Sequence, residues 1–489
     1  MTRPVSVTGT YSAGPWDAII VGAGTSGMAC AIAAAEGGAR VCLVEKDSEV
    51  GGTLHLSAGQ MSAACTRRQL ALDVDDSTEA HFDEVMKLGH GRNDPAVVRL
   101  AVEGAPDTLD WLDDLGFPFP DEMPIMYYGH EPYSKPRTAW GPEMGVSILK
   151  TIQPVFEDLA GAGRIELRLG HRLVELITTD GRVDGVRVAT DGGEQQLRAP
   201  VTVLTSGGYA ANPELFAEFH PDVHCLLGAR ETSTGDGLNA ARAIGAALRG
   251  ADLHLPTSGC IPMTNEPGRT DIWDAFGNLV PQTRRLREII VNRAGKRFQR
   301  EDEPSADARE RALVAEGGRA WVILDEAMLT DDDPVVVGWS ADMLRAEAAA
   351  GERAWVGHDA TSLARSAGID PGGLAATIAD YNDAIAVGTD SLGREMLDAA
   401  FTSSPIYAIG VHAGAVVGFA GVDVDDRLRV VSDDGQPIDG LYAAGEILGA
   451  SASMGNGFSG GMMVTPALTL GRTLGDRIAR MADGAALAG

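Results

Sequence analysis

Trp16-Asp17-Ala18-Ile19-Ile20-Val21-Gly22-Ala23-Gly24-Thr25-Ser26-Gly27 reads as a buried parallel strand running into a G-x-G-x-x-G turn. The alanine-rich stretch Met28 to Glu36 continues as a helix, and a second apolar strand, Val41-Cys42-Leu43-Val44, ends in Glu45. Each part has a physical task. Gly22 makes the tight turn, Gly24 lets backbone approach a pyrophosphate, and Gly27 lets helix and strand pack closely. The helix N-terminus, with Thr25 and Ser26, offers free N–H groups and a positive dipole end to phosphate. Glu45 is placed to accept hydrogen bonds from a ribose diol. Glycine turns are common, but strand, turn, helix, second strand and acid in this order predict a dinucleotide-binding βαβ unit.

The loop after Glu45 selects the dinucleotide. Lys46 leads into Gly51-Gly52-Thr53 and then Ser57-Ala58-Gly59-Gln60. A nicotinamide site has no need of a second glycine pair here, whereas a flavin needs a loop beside its phosphates and ring. Near the C-terminus, Leu441-Tyr442-Ala443-Ala444-Gly445-Glu446 reads as a strand ending in Gly-Glu. Gly460-Gly461-Met462-Met463-Val464 then opens a final helix. The N-terminus of that helix suits the flavin pyrimidine carbonyls, where negative charge develops on reduction. FAD is the expected cofactor.

These and further motifs resemble the flavoprotein family of fumarate reductases and succinate dehydrogenases, whose relatives include 3-ketosteroid Δ1-dehydrogenases and tricarballylate-dehydrogenase-like proteins. Thr205-Ser206-Gly207-Gly208-Tyr209 is similar to the family's ATGG strand end, and Ser233-Thr234-Gly235-Asp236-Gly237 to its TGDG helix start. Ile290 to Phe298 resembles its VN-x-x-GKRF hairpin, and Leu374 to Asn382 with Gly388, Asp390, Gly393 and Arg394 resembles a further family segment. The resemblance spans nearly the whole chain. It implies an α/β fold: a discontinuous Rossmann-like FAD-binding domain over residues 1–248 and 404–489, with an inserted α+β capping domain over 249–403. It adds Ser206, Gly207, Asp236, Gly445, Glu446, Gly461 and Val464 to the expected FAD contacts. His55 lies two positions from the family's flavin-linking histidine, so the FAD is expected to be noncovalent.

The chain departs from the fumarate reductases where they handle a dicarboxylate. Their proton-delivering arginine corresponds to Ser305, a carboxylate-clamping arginine to Phe458, and a carboxylate-binding histidine to Val417. A dicarboxylate so placed would lie desolvated and unpaired, at a cost on the order of several kcal/mol. The tyrosine base of ketosteroid dehydrogenases also corresponds to Ser305. An apolar pocket of Phe458, Val417 and Phe419 with Ser305 remains, suited to a neutral cyclic or steroid-like ketone.

Polar partners for such a substrate are sought in the segment Tyr127-Tyr128-Gly129-His130-Glu131-Pro132-Tyr133, because three of the eight tyrosines of the chain fall there. Tyr128, His130 and Tyr133 are candidates for carbonyl binding or proton abstraction; packing of the domain seam is the alternative for the same segment. His254 is a candidate for carbonyl polarisation and His412 for the pocket wall, against ordinary core histidines. Arg137 reads as structural. The expected reaction is α,β-dehydrogenation of the ketone, with a hydride leaving the substrate carbon for flavin N5. The alternatives are an ene-reductase of a C=C bond conjugated to a carbonyl, and a flavin-binding protein whose substrate site is lost.

The 489 residues carry a formal net charge of −29, which argues against nucleic acid or an anionic membrane as partner. Apolar stretches are glycine-broken and short, and no basic, then apolar, N-terminal leader is evident, so a cytoplasmic location is expected. The five cysteines form no C-x-x-C, and no metal site is expected. With a single dinucleotide fingerprint, the electron acceptor is external and unidentified.

Overall fold

The structure is a computed structural model that describes residues 16–484. Its first sheet has six strands in the order Arg429–Val431, Pro437–Ala443, Val201–Leu204, Ala18–Val21, Val41–Val44, Ile165–Arg168. All neighbours are parallel except the antiparallel edge pair. The central strands are buried and apolar but for Thr202, and the three-stranded antiparallel sheet Arg172–Thr179, Arg182–Thr190, Gly193–Arg198 packs against them. One face takes the helix Thr25–Glu36, and the final helix Val464–Ala482 lies along that helix. Their backbones approach closely: a Cβ on Gly471 would stand 2.5 Å from the Ser26 carbonyl oxygen.

A second sheet of eight strands is mostly antiparallel. Its path runs Ile289–Val291, Arg319–Asp325, Ile406–Ala415, Thr257–Cys260, Phe276–Gly277, Val336–Val337, with Leu226–Leu227 and Ala354–Gly357 also paired to Ile406–Ala415. Helices Ala306–Ala315, Ala341–Ala350, Ala360–Ala367 and Pro371–Val387 belong to the same unit. The described residues form two hydrophobic cores, those of an α/β FAD-binding unit and an α+β cap. The second core runs from Ile261 to Ala413, past the expected return at 404. The reason is the strand Ile406–Ala415. Its alternate residues are apolar like those of any buried strand, and it finds a seven-residue antiparallel register with Arg319–Asp325. Hydrophobic pattern alone does not say which sheet a strand joins.

The proline- and aromatic-rich segment 120–141 is ordered loop. It is closed on itself by the bridge Ile125 to Thr138, and tied to the first unit by pairing of Met61–Ser62 with Thr138–Ala139 and by the bridge Glu131 to Ser459. Among the described residues no helix is long and apolar enough to cross a membrane.

Candidate active site

The turn after the first strand forms as its glycines require. Gly22 has φ +105°, and a Cβ on Gly27 would fall 1.8 Å from the Gly22 carbonyl oxygen. Thr205 at the end of its own strand closes the crossover, its hydroxyl reaching both the Val21 and Gly22 carbonyls at 2.9 Å. Glu45 leaves the second strand and accepts from Ala23 N at 2.7 Å and Asp47 N at 2.9 Å. A carboxylate has about four lone-pair sites, so capacity for a ribose diol remains. Lys46 donates to Thr234 Oγ1 at 2.6 Å and Asp236 Oδ2 at 3.0 Å, joining the βαβ unit to the helix Asp236–Arg242. Gly24 faces Gly52 across the groove.

The groove holds polar atoms with nothing to bond. Among the described residues the hydroxyls of Ser26 and Ser206 are buried without a partner, and no side chain of those residues stands within 4 Å of the place a Cβ would take on Gly207, where φ is +74°. Buried hydroxyls are rarely left so, and a diphosphate or ribose would satisfy them; the residues fit FAD. Arg230, which carries no motif, also shapes this end. It donates to the Gly52 carbonyl at 2.8 Å and to Asp47 at 2.6 Å and Glu49 at 3.0 Å.

Further along the groove, Gly52–His55 is a short 3₁₀ turn whose Thr53 carbonyl accepts from Ser57 N at 2.8 Å. The Ser57 hydroxyl accepts from Gly59 N at 3.0 Å, which shapes the bend through Ala58 toward Gln60. Gln60 hydrogen-bonds the Tyr127 hydroxyl. His55 is engaged with the Val50 carbonyl at 2.9 Å. Gly461, at φ +82°, lies on the Met61–Ser62 backbone and Val464 begins the last helix.

Glu446 closes this end. Gly445, at φ +86°, abuts Ser26, and the Glu446 carboxylate accepts from Gly418 N at 3.3 Å and from Gly208 N. Burial pushes its carboxyl from the ordinary 4.5 up to about 7. Between those values the folded chain holds a proton that the unfolded chain has released, so stability falls as pH rises through the interval. FAD-stripped protein is therefore expected to lose on the order of 2–3 kcal/mol between about pH 4.5 and 7 from this group. Urea titrations at several pH values should show Glu446→Gln flattening that slope; an unchanged slope would place the proton elsewhere.

On the substrate side, four of the candidate residues come together through their rings. His130 stacks on Phe458 at 5.2 Å and 19°, Phe458 meets Phe419 edge-on at 5.9 Å, and Phe419 meets His254 at 5.6 Å. His254 also touches His220 at 4.7 Å. Burial lowers His130 to about 4; burial and then His220 lower His254 to about 3. Both imidazoles are neutral at physiological pH. Nδ1 of His130 and both ring nitrogens of His254 are buried without a partner among the described residues. Val417 packs half-buried against the same core.

Four candidates stand apart from that group. Tyr133 is fully buried and donates to the Gly460 carbonyl at 2.8 Å, and burial pushes its phenol up, so its hydroxyl is committed to holding the loop. His412 lies inside the cap sheet, paired with Cys260 and Arg319, and no ring contact or hydrogen bond among the described residues links it to His130 or His254. Tyr128 is half-buried and makes no hydrogen bond to a described residue. Ser305 caps the cap-unit helix Ala306–Ala315, accepting from Ala308 N at 3.2 Å, and donates to Glu131 Oε2 at 2.9 Å. Neither Glu131 nor the nearby Arg309 and Glu310 was marked by a motif, since their proximity arises only when the cap helix meets the 120–141 segment.

A family model described as FAD binding domain matches residues 17–462. The fumarate reductase (cytochrome) of Shewanella frigidimarina is 30% identical over 475 residues, covering 95% of this chain and 77% of that protein. An open flavocytochrome c3 fumarate reductase structure superposes with TM-score 0.75 at 29% identity, over 96% of this chain and 79% of that one. The 3-ketosteroid Δ1-dehydrogenase of Sterolibacterium denitrificans, in complex with 1,4-androstadiene-3,17-dione, has the same fold, with TM-score 0.76 at 21% identity over 96% and 100%. The chain thus belongs to the FAD binding domain family, alongside the fumarate reductase flavoproteins, and is an FAD-dependent oxidoreductase acting on CH–CH groups.

Proposed function

We propose that the enzyme dehydrogenates a saturated C–C bond next to the carbonyl of a neutral, cyclic or steroid-like ketone. The observation that carries this reading is the ring-to-ring wall of His130, Phe458, Phe419 and His254, with buried imidazole nitrogens that bond no described residue. A neutral imidazole N–H can donate to a ketone oxygen, and flat rings beside it favour a flat apolar substrate while excluding water. A carboxylate would meet Ser305, Val417 and Phe458 where fumarate reductases hold cations or a histidine. His130 and His254 are assigned to orient and polarise the carbonyl, and Tyr128 is retained as a further hydroxyl for it. Bound FAD supplies the two-electron hydride acceptor, held by the groove from Gly22 to Gln60 and by Ser206, Gly207, Asp236, Gly445, Glu446, Gly461 and Val464. An external acceptor reoxidises it.

A second reading, reduction of a C=C bond conjugated to a carbonyl, is supported by the fumarate reductase relative. One anaerobic experiment separates the two. Oxidised enzyme is mixed with saturated cyclic ketones and steroids, and chemically reduced enzyme with the matching enones. Bleaching of the flavin band by a ketone is the expected result. Reoxidation by enones alone would establish the reductive direction, and no response to either would mean that the substrate site is lost.

A further inference from the structure

Ser305 occupies the position where the resemblance implies a proton-handling side chain, and a serine hydroxyl by itself is a poor acid and a poor base near neutral pH. The fold brings a carboxylate to it from the opposite unit. Glu131 belongs to the 120–141 segment, next in sequence to His130, and its backbone is bridged to Ser459, next to Phe458. Its Oε2 accepts from Ser305 Oγ at 2.9 Å and from Asp307 N at 3.4 Å, at the N-terminus of the ten-residue helix Ala306–Ala315. Its Oε1 makes no hydrogen bond with any described residue. One oxygen is aimed and the other is left available. The charges around it are mixed. Arg309, one turn beyond Ser305, faces Glu131, Glu303 and Glu310, and Glu310 in turn lies near Asp307 and Arg311.

We propose that Glu131 is the acid–base residue of the reaction and that Ser305 is the positioning residue that aims its carboxylate. The inference rests on the reading that the substrate bond lies next to a carbonyl. In the dehydrogenating direction the Cα–H bond breaks and its proton passes to a Glu131 oxygen. The electron pair it leaves becomes the second bond of C=C as the Cβ hydrogen departs as hydride, oxidising the ketone and reducing the bound FAD. In the reductive direction the same carboxyl group returns the proton to Cα.

A bond that merely latches the cap to the FAD-binding unit would leave the same hydrogen bond, and two variants of the holoenzyme tell these roles apart. Glu131→Gln keeps an oxygen for Ser305 but abolishes the base; Ser305→Ala keeps the carboxylate, still bonded to Asp307 N. Each is assayed for flavin content, thermal midpoint, the rate of flavin reduction by a cyclic ketone, and deuterium wash-in at Cα from D₂O. The last readout reports proton transfer without net oxidation. Glu131→Gln is expected to retain FAD and the midpoint while both rates fall by about 10²- to 10⁴-fold, the range for a positioned acid–base group. Ser305→Ala is expected to lose less than about tenfold, and Glu131→Asp to recover part of the wash-in. The reverse order, with Ser305→Ala the more damaging, or a rise in KM alone in both variants, would overturn the assignment in favour of a latch. Wild-type wash-in matched by Glu131→Gln would overturn it alone. A wild type that neither exchanges with ketones nor reoxidises with enones would overturn the substrate reading and this inference together.

Discussion

Gly24→Ala is expected to fold normally and to be purified with little or no flavin, whereas Gly27→Ala is expected to lose stability as well. The two glycines sit three residues apart in one turn but meet different surroundings. A Cβ on Gly24 finds only Gly52 Cα, at 3.9 Å, so the protein itself accommodates it. The methyl group points into the groove that the phosphates of FAD need, where a close backbone approach is the purpose of that glycine. A Cβ on Gly27 would overlap the Gly22 carbonyl oxygen at 1.8 Å and lie 2.8 Å from Thr205 Oγ1. Thr205 has no free direction to move, since its hydroxyl already serves the Val21 and Gly22 carbonyls. Relief must come from separating helix and sheet, at about 1–3 kcal/mol or more for overpacking of this kind. Flavin-to-protein ratio and the urea midpoint measure the two effects separately. A Gly24→Ala protein that keeps wild-type flavin content would refute the assignment of this turn to the cofactor phosphates.

Arg137→Met is expected to destabilise the protein by about 3–5 kcal/mol, the cost of leaving a buried carboxylate without its cation. Arg137 is 1% exposed and grips Asp76 with two hydrogen bonds of 2.7 Å, while also pairing with Glu84. The Asp76 side chain in that pair is fully buried. Burial opposes ionisation of Asp76, yet the bonds from Arg137 and Gln69 hold its carboxyl below the ordinary range. Adding Asp76→Asn to Arg137→Met should recover part of the loss, because the orphaned charge is then gone. The consequence should reach the active site. The arginine lies over the Tyr133 ring at 5.4 Å and precedes the strand Thr138–Ala139 that pairs with Met61–Ser62 beside the flavin loop. Slower flavin reduction should therefore accompany the lower urea midpoint. If the midpoint moved by less than about 1 kcal/mol, the buried network would not be a stabilising anchor.

The cofactor half of the protein was legible in the chain because its chemistry is local. Gly22, Gly24, Gly27 and Glu45 lie within one strand–helix–strand unit, and spacing alone puts them at one end of a sheet. The substrate half was legible only as a set of residue types. A count of tyrosines singled out the 120–141 segment, and the structure divides its members by surroundings: Tyr133 is buried and spent on Gly460, while His130 stacks on Phe458 with a nitrogen that bonds no described residue. His412 and His254 look alike in sequence, each a histidine in an apolar stretch. Pairing inside the cap sheet takes one away from the ring wall, and a loop carries the other into it. Nothing near Glu131 announced its partner, which lies 174 residues away across two units. The amino-acid sequence was sufficient for the α/β fold and the FAD, because motif spacing and residue identity are properties of the chain. Which strand joined the cap, which histidines met the pocket and which carboxylate reached Ser305 were decided by tertiary packing, because burial and long-range contact exist only once separate segments share one space.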